Sequence, residues 1–115
     1  MFFGSRKRHR FDPNDSNQEG QSRLHFYAYV GAVSGISVYA IAGADVNKQD
    51  RFGATPLHYA ALNGQQEAVQ TLIKLAADPR IKTYDGQSTA DAARCGGHEQ
   101  LERLLQSAIA HYHQP

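Results

Sequence analysis

The sequence predicts an all-α repeat fold, a solenoid of stacked helical hairpins. Three observations carry this reading. A fixed period runs through most of the chain, helix-start and helix-stop residues recur in each period, and apolar residues stand between them at helical spacing.

The period emerges on aligning Gly20-Gln21-Ser22-Arg23-Leu24-His25 with Gly53-Ala54-Thr55-Pro56-Leu57-His58, where the offset is 53 − 20 = 33 at every position. Without a gap, Ala28 then falls on Ala61, Gly31 on Gly64, Ala44 on Ala77 and Asp45 on Asp78. The same offset applied once more brings Gly86, Ser88, Ala93 and Gly97 onto Gly53, Thr55, Ala60 and Gly64. The predicted organisation is a basic, turn-rich segment over 1–19, followed by units at about 20–52, 53–85 and 86–115.

In the central unit Thr55 caps a first helix through its hydroxyl, Pro56 suits the first helical position because its missing N–H is not needed there, and Gly64 ends the helix. A second helix is expected over Gln66 to Ala76, with Val69, Leu72, Ile73 and Ala76 at i, i+3, i+4 and i+7. The first unit has Arg23 in place of proline, and its first helix carries Phe26, Tyr27, Tyr29 and Val30. Tyr27 stands where the central unit has Ala60, so extra bulk must be accommodated and a cover over this end is expected. Gly31 and Gly35 are expected to end one helix and permit close packing. The third unit sets Glu99, Gln100, Glu102, Arg103 and Gln106 beside Leu101, Leu104 and Leu105, the mixture of a solvated terminal cap.

The run from Asp50 to Ala61, with Gly64 after it, resembles the ankyrin repeat, whose signature is Thr-Pro-Leu-His-x-Ala at this period. The resemblance implies helix pairs joined by β-turn or hairpin loops. Leu24, His25, Gly53, Thr55, Pro56, Leu57, His58, Ala60, Ala61, Gly64, Gly86 and Gly97 then become structural motif positions. It implies that His25 and His58 link helix starts to neighbouring turns by hydrogen bonds rather than bind metal or move protons. It also implies a protein partner held on a concave surface of turn tips and inner helices. Carried over position by position, the contacts are Tyr29 in the first unit, Arg51, Phe52, Ala54, Leu62 and Asn63 in the second, and Tyr84, Gln87 and Cys95 in the third. Tyr29, Leu62 and Cys95 form an apolar column on the inner helices, and Phe52 and Tyr84 are turn-tip aromatics of the kind that dominate binding energy.

Composition is compatible with this. Hydrophobic residues are 41% and charged residues 20%, and the net charge of +1 makes neither nucleic acid nor an anionic membrane the default partner. The longest apolar stretch, Phe26 to Val33, is too short for a bilayer, and no signal-peptide core is seen. One cysteine, Cys95, allows no intrachain disulfide and points to a reducing, cytoplasmic setting, with nuclear or host-translocated locations as alternatives.

Enzymatic chemistry has no foothold in the pattern. Phosphate-binding loop, nucleophile elbow and paired carboxylates are all missing, so no catalytic residue, cofactor, metal or small-molecule substrate is expected. Asp12 to Asn17 resembles a calcium loop only until position six, which is Asn17 rather than glycine, and position twelve, which is Arg23 rather than glutamate. His111 and His113 would diverge on a helix and could share a metal only weakly on an extended tail.

Two alternatives to an adaptor, inhibitor or scaffold stand beside it. The basic run of Arg6, Lys7, Arg8 and Arg10 suits a localisation signal or a nucleic-acid arm as well as a solvated tail. The aromatic first unit suits pairing with a second copy as a homodimer, or shielding by Phe2, Phe3 and Phe11 folded back over it.

Overall fold

The computed structural model describes residues 12–112. Among these, six helices follow one another as three hairpins: α1 (Arg23–Val30) with α2 (Val33–Ile41), α3 (Pro56–Leu62) with α4 (Gln66–Lys74), and α5 (Thr89–Cys95) with α6 (Glu99–Tyr112). The inner helices α1, α3 and α5 stack in order, and each packs on its own outer helix. The three-unit, all-α repeat architecture is therefore as the sequence predicted. The expected helix signals also hold: Thr55 Oγ1 accepts the His58 N–H, Pro56 opens α3, and Gly64 at φ 68° follows its end.

One core runs through the stack, with Leu24, Ile36, Leu57, Val69, Leu72 and Leu105 fully buried. The units differ where they meet something different. Tyr27 in α1 packs edge-on to Tyr39 with ring centroids 5.5 Å apart, over Gly35, so its bulk is absorbed within the first hairpin. The equivalent positions in the second unit are Ala60 and Ala68; the large–small pair has replaced a small–small one. At the other end, buried Ala61 and Val69 are succeeded one period later by Arg94 and Glu102, whose side chains pair at 3.2 Å. An ion pair thus stands where a fourth unit would meet apolar surface, which is the solvated cap that the sequence predicted.

Two local features differ from a plain reading of the period. The chain is already tied into the stack ahead of Gly20. Asp12 to Glu19 form turns tied into the stack, where the Asp45 N–H donates to Asn14 Oδ1 at 2.7 Å and Asn14 Nδ2 donates to the Gly43 carbonyl at 3.3 Å. Asn47 repeats this device with the Asp78 N–H at 2.8 Å, and Asp12 lies one period before Asp45, a register legible in the sequence but not followed back past Gly20. The second difference is Ala76. Helix α4 stops at Lys74, and Ala76 lies exposed at φ 75° rather than on the helix's apolar face. Its N–H bonds to the Ile73 carbonyl while that of Ala77 bonds to Leu72, a left-handed helix end that the chain elsewhere builds with glycine.

Candidate functional site

Each unit presents a turn followed by an inner helix, and side-chain hubs hold the turns in shape. In the second unit the hub is Asp50, only 2% exposed: Oδ1 accepts the N–H groups of Phe52 and Ala54, both at 2.9 Å, and Oδ2 accepts the Tyr59 hydroxyl. Asn17 does the same in the first unit, its Oδ1 accepting from the N–H groups of Glu19 and Gln21. In the third unit Thr83 Oγ1 accepts from the Gln87 N–H. Asp50 opens the repeat motif without an assigned role in the sequence; its recurrence as Asn17, Asp50 and Thr83 at the repeat period is the signal that marks it.

Successive tips are joined through the main chain. The Arg51 N–H donates to the Glu19 carbonyl at 2.8 Å, and the Tyr84 N–H donates to the Phe52 carbonyl at 3.1 Å. Gly53 permits this approach, since a Cβ there would stand 2.6 Å from the Tyr84 nitrogen and its φ is 83°. Histidines join the units below the tips. His25 Nδ1 accepts from the Ser22 N–H and Nε2 donates to the Ala54 carbonyl, each at 2.9 Å. His58 likewise accepts from the Thr55 N–H and donates to the Gln87 carbonyl, both at 3.1 Å. A carbonyl can only accept, so Nε2 carries the proton and both rings are neutral. Burial is the main reason that both histidines are held below their ordinary pKa. Each ring thus ties the start of one inner helix to the turn of the next unit.

The expected contact residues fall into three groups. Phe52 and Tyr84, 57% and 71% exposed, stand on successive tips, and together with Arg51 and Gln87 they line a groove of about 430 Å³. Arg51 lies 5.4 Å from the Phe52 ring centroid and pairs with Glu19 at 2.8 Å. Tyr29, Leu62 and Cys95 are exposed at the same register of α1, α3 and α5. Asn63 is exposed but engaged, its Nδ2 donating to the Tyr29 carbonyl at 2.8 Å.

Ala54 does not belong with them. It is buried, its N–H goes to Asp50, and its carbonyl accepts from Asp50 N–H and His25 Nε2, so its main-chain groups are already engaged within the fold. A cleft missed from sequence takes its place: Gln21, Phe26, Tyr29 and Tyr59 line a space of about 280 Å³ at the first unit. Tyr59 meets the rings of His25 and Tyr29 edge-on and accepts from Gln21 Nε2 at 3.0 Å.

Phe2, Phe3, Phe11, the basic run and His113 lie outside the described residues. Among the described residues no cluster of three His, Cys, Asp or Glu groups could hold a metal ion, and no helix is long and apolar enough to cross a membrane.

A family model described as ankyrin repeats in three copies matches residues 7–83 and 24–114. The chain belongs to the ankyrin-repeat family. Among its relatives, espin-like protein of Homo sapiens is 44% identical over 57 residues, 50% of this chain and 6% of that protein. E3 ubiquitin-protein ligase Ufd4 of Drosophila melanogaster is 33% identical over 99 residues, 84% of this chain and 4% of that protein. Calmodulin-binding transcription activator 3 of Arabidopsis thaliana is 32% identical over 99 residues, 81% and 10% respectively. The chain thus spans a tenth or less of the length of these relatives. Ankyrin repeats serve generally as protein–protein interaction modules and are generally non-enzymatic.

Proposed function

We propose that this ankyrin stack is an adaptor, inhibitor or scaffold that captures an extended segment of a protein partner along its tips and inner helices. The observation that carries this reading is the exposure of Phe52 and Tyr84 on adjacent tips that the main chain locks together. Both rings leave most of their surface open, and large aromatics contribute most to binding when a partner desolvates them. Tyr29, Leu62 and Cys95 supply an apolar track beside the tips, and the cleft at Phe26, Tyr29 and Tyr59 accepts one apolar side chain at its end. Hubs and main-chain bonds fix the tips before binding, so little ordering entropy opposes capture. The free thiol of Cys95 suits a reducing, cytoplasmic setting.

The test compares affinity capture by the unaltered chain, by the Phe52→Ala/Tyr84→Ala double variant, and by Glu67→Ala on the outer helix α4. Proteins retained by the first and third but lost from the double variant, with an unchanged circular-dichroism melt, are the expected outcome. Equal capture by all three overturns the assignment.

A further inference from the structure

The cleft at the first unit is lined by three aromatic rings and by no Asp, Glu, Lys or Arg. Phe26 and Tyr29 stand three residues apart, hence on one side of α1, and both are exposed. Tyr59 of α3 supplies the third ring, edge-on to Tyr29 with centroids 6.4 Å apart. Phe26 is steadied by Tyr27, whose ring centroid lies 5.9 Å away. One period later Tyr59 is succeeded by the buried Ala92 and Tyr29 by Leu62, so the boundary between the second and third units has no matching trio.

The polar groups around the rings are engaged with one another. The Tyr59 hydroxyl donates to Asp50 and accepts from Gln21 Nε2 at 3.0 Å, Gln21 Oε1 accepts from Asn17 Nδ2 at 3.1 Å, and Ser22 Oγ lies 3.0 Å from His25 Nδ1. The Asp50 carboxylate is buried and already accepts from three groups, so it gives the cleft no open counter-charge. A charged side chain entering here would shed its water without meeting a partner of opposite sign. Size then selects among uncharged side chains. An enclosed apolar cavity of about 150 Å³ holds a benzene ring. This partly open cleft measures about 280 Å³, so an aromatic side chain fills it where leucine or valine leaves gaps that forfeit contact with the lining atoms. We propose that the cleft is the specificity pocket for the partner segment and takes an uncharged aromatic side chain, tryptophan or phenylalanine, against the rings of Phe26, Tyr29 and Tyr59. This rests on the capture proposed above, yet the pocket is testable without any partner, because it binds the side chain alone.

The experiment titrates the full chain with N-acetyl-tryptophanamide, N-acetyl-leucinamide and tetramethylammonium chloride, following amide signals by nuclear magnetic resonance. The expected result is a saturable shift of the Gln21 side-chain amide and of residues 26, 29 and 59 with the tryptophan probe, and binding of the leucine probe weaker by about tenfold. Phe26→Ala should weaken the tryptophan probe by a similar factor with an unchanged circular-dichroism melt, since that ring is exposed. No saturable shift, equal binding of the leucine probe, tighter binding of tetramethylammonium, or indifference to Phe26→Ala each overturns the proposal. Probe binding absent while partner capture persists removes the pocket alone. Probe binding kept while capture by the tips fails upholds the pocket and removes the capture reading instead.

Discussion

Gly35 lies against the ring of Tyr27, where a Cβ added at residue 35 would stand 2.8 Å from Tyr27 Cδ2. Gly35→Ala therefore overpacks the first hairpin, at about 1–3 kcal/mol, which exceeds the roughly 0.5–1 kcal/mol that alanine gains over glycine in a helix. Combining it with Tyr27→Ala reproduces the Ala60–Ala68 pairing of the second unit, and the double variant is expected to be more stable than the sum of the two single losses implies. Denaturant melts of the four proteins measure the coupling; additivity would show that the contact is not limiting.

Stability should fall in mild acid. His25 and His58 are buried neutral and hold their pKa below the usual 6.5, so the unfolded chain binds protons that the folded chain refuses. Their contribution is complete above about pH 6.5 and is lost as pH drops from there toward the folded values, at about 1.4 kcal/mol per pH unit for each histidine. His25→Gln is expected to be less stable at pH 8 but to show a shallower loss between pH 6.5 and 5. An identical slope would mean that His25 is protonated in the fold.

Tyr59 titrates at the opposite end of the scale. Burial first, and then donation to Asp50, push its hydroxyl up to about 12. The raised value gives a contribution present below about pH 10 and lost between pH 10 and about 12. An ultraviolet titration should find a tyrosine step near pH 12, and Tyr59→Phe should remove it.

Asp50 is the most demanding polar position. Asp50→Ala leaves the Phe52 and Ala54 N–H groups and the Tyr59 hydroxyl without their acceptor, a loss on the order of 3 kcal/mol. Asp50→Asn keeps one oxygen for the two N–H groups, as Asn17 does in the first unit, and should cost much less. Equal losses in urea melts would place the effect in the tip's packing instead.

Ala76→Gly should stabilise the chain by up to about 1 kcal/mol, since alanine at φ 75° carries a left-handed strain that glycine lacks. A higher urea midpoint at unchanged slope is the expected reading, and a lower midpoint would mean that chain entropy outweighs the strain.

The repeat is legible because its signals are local: Thr55, Pro56 and Gly64 set one helix with no help from the rest of the chain. The histidine links need the family resemblance, because their acceptors, the Ala54 and Gln87 carbonyls, lie 29 residues away. Ala54 misleads because a turn position looks exposed until its neighbours are in place. Ala76 misleads because helical spacing continues past the point where the backbone turns. The cleft beside Tyr59 cannot be found from spacing alone, since it is shaped by two helices and a turn of separate units.

The Nε2 bonds of His25 and His58 both run forward, each to the next unit. His25 completes its bonds only when Ala54 is in place, and His58 only when Gln87 is, whereas Asp91 at the same position of the last unit closes on Ser88 in its own turn. On the ribosome, each of the first two units must then wait for the next to emerge before its buried imidazole is satisfied. The third needs no successor for this contact, because Asp91 is satisfied within its own turn as soon as that turn has formed.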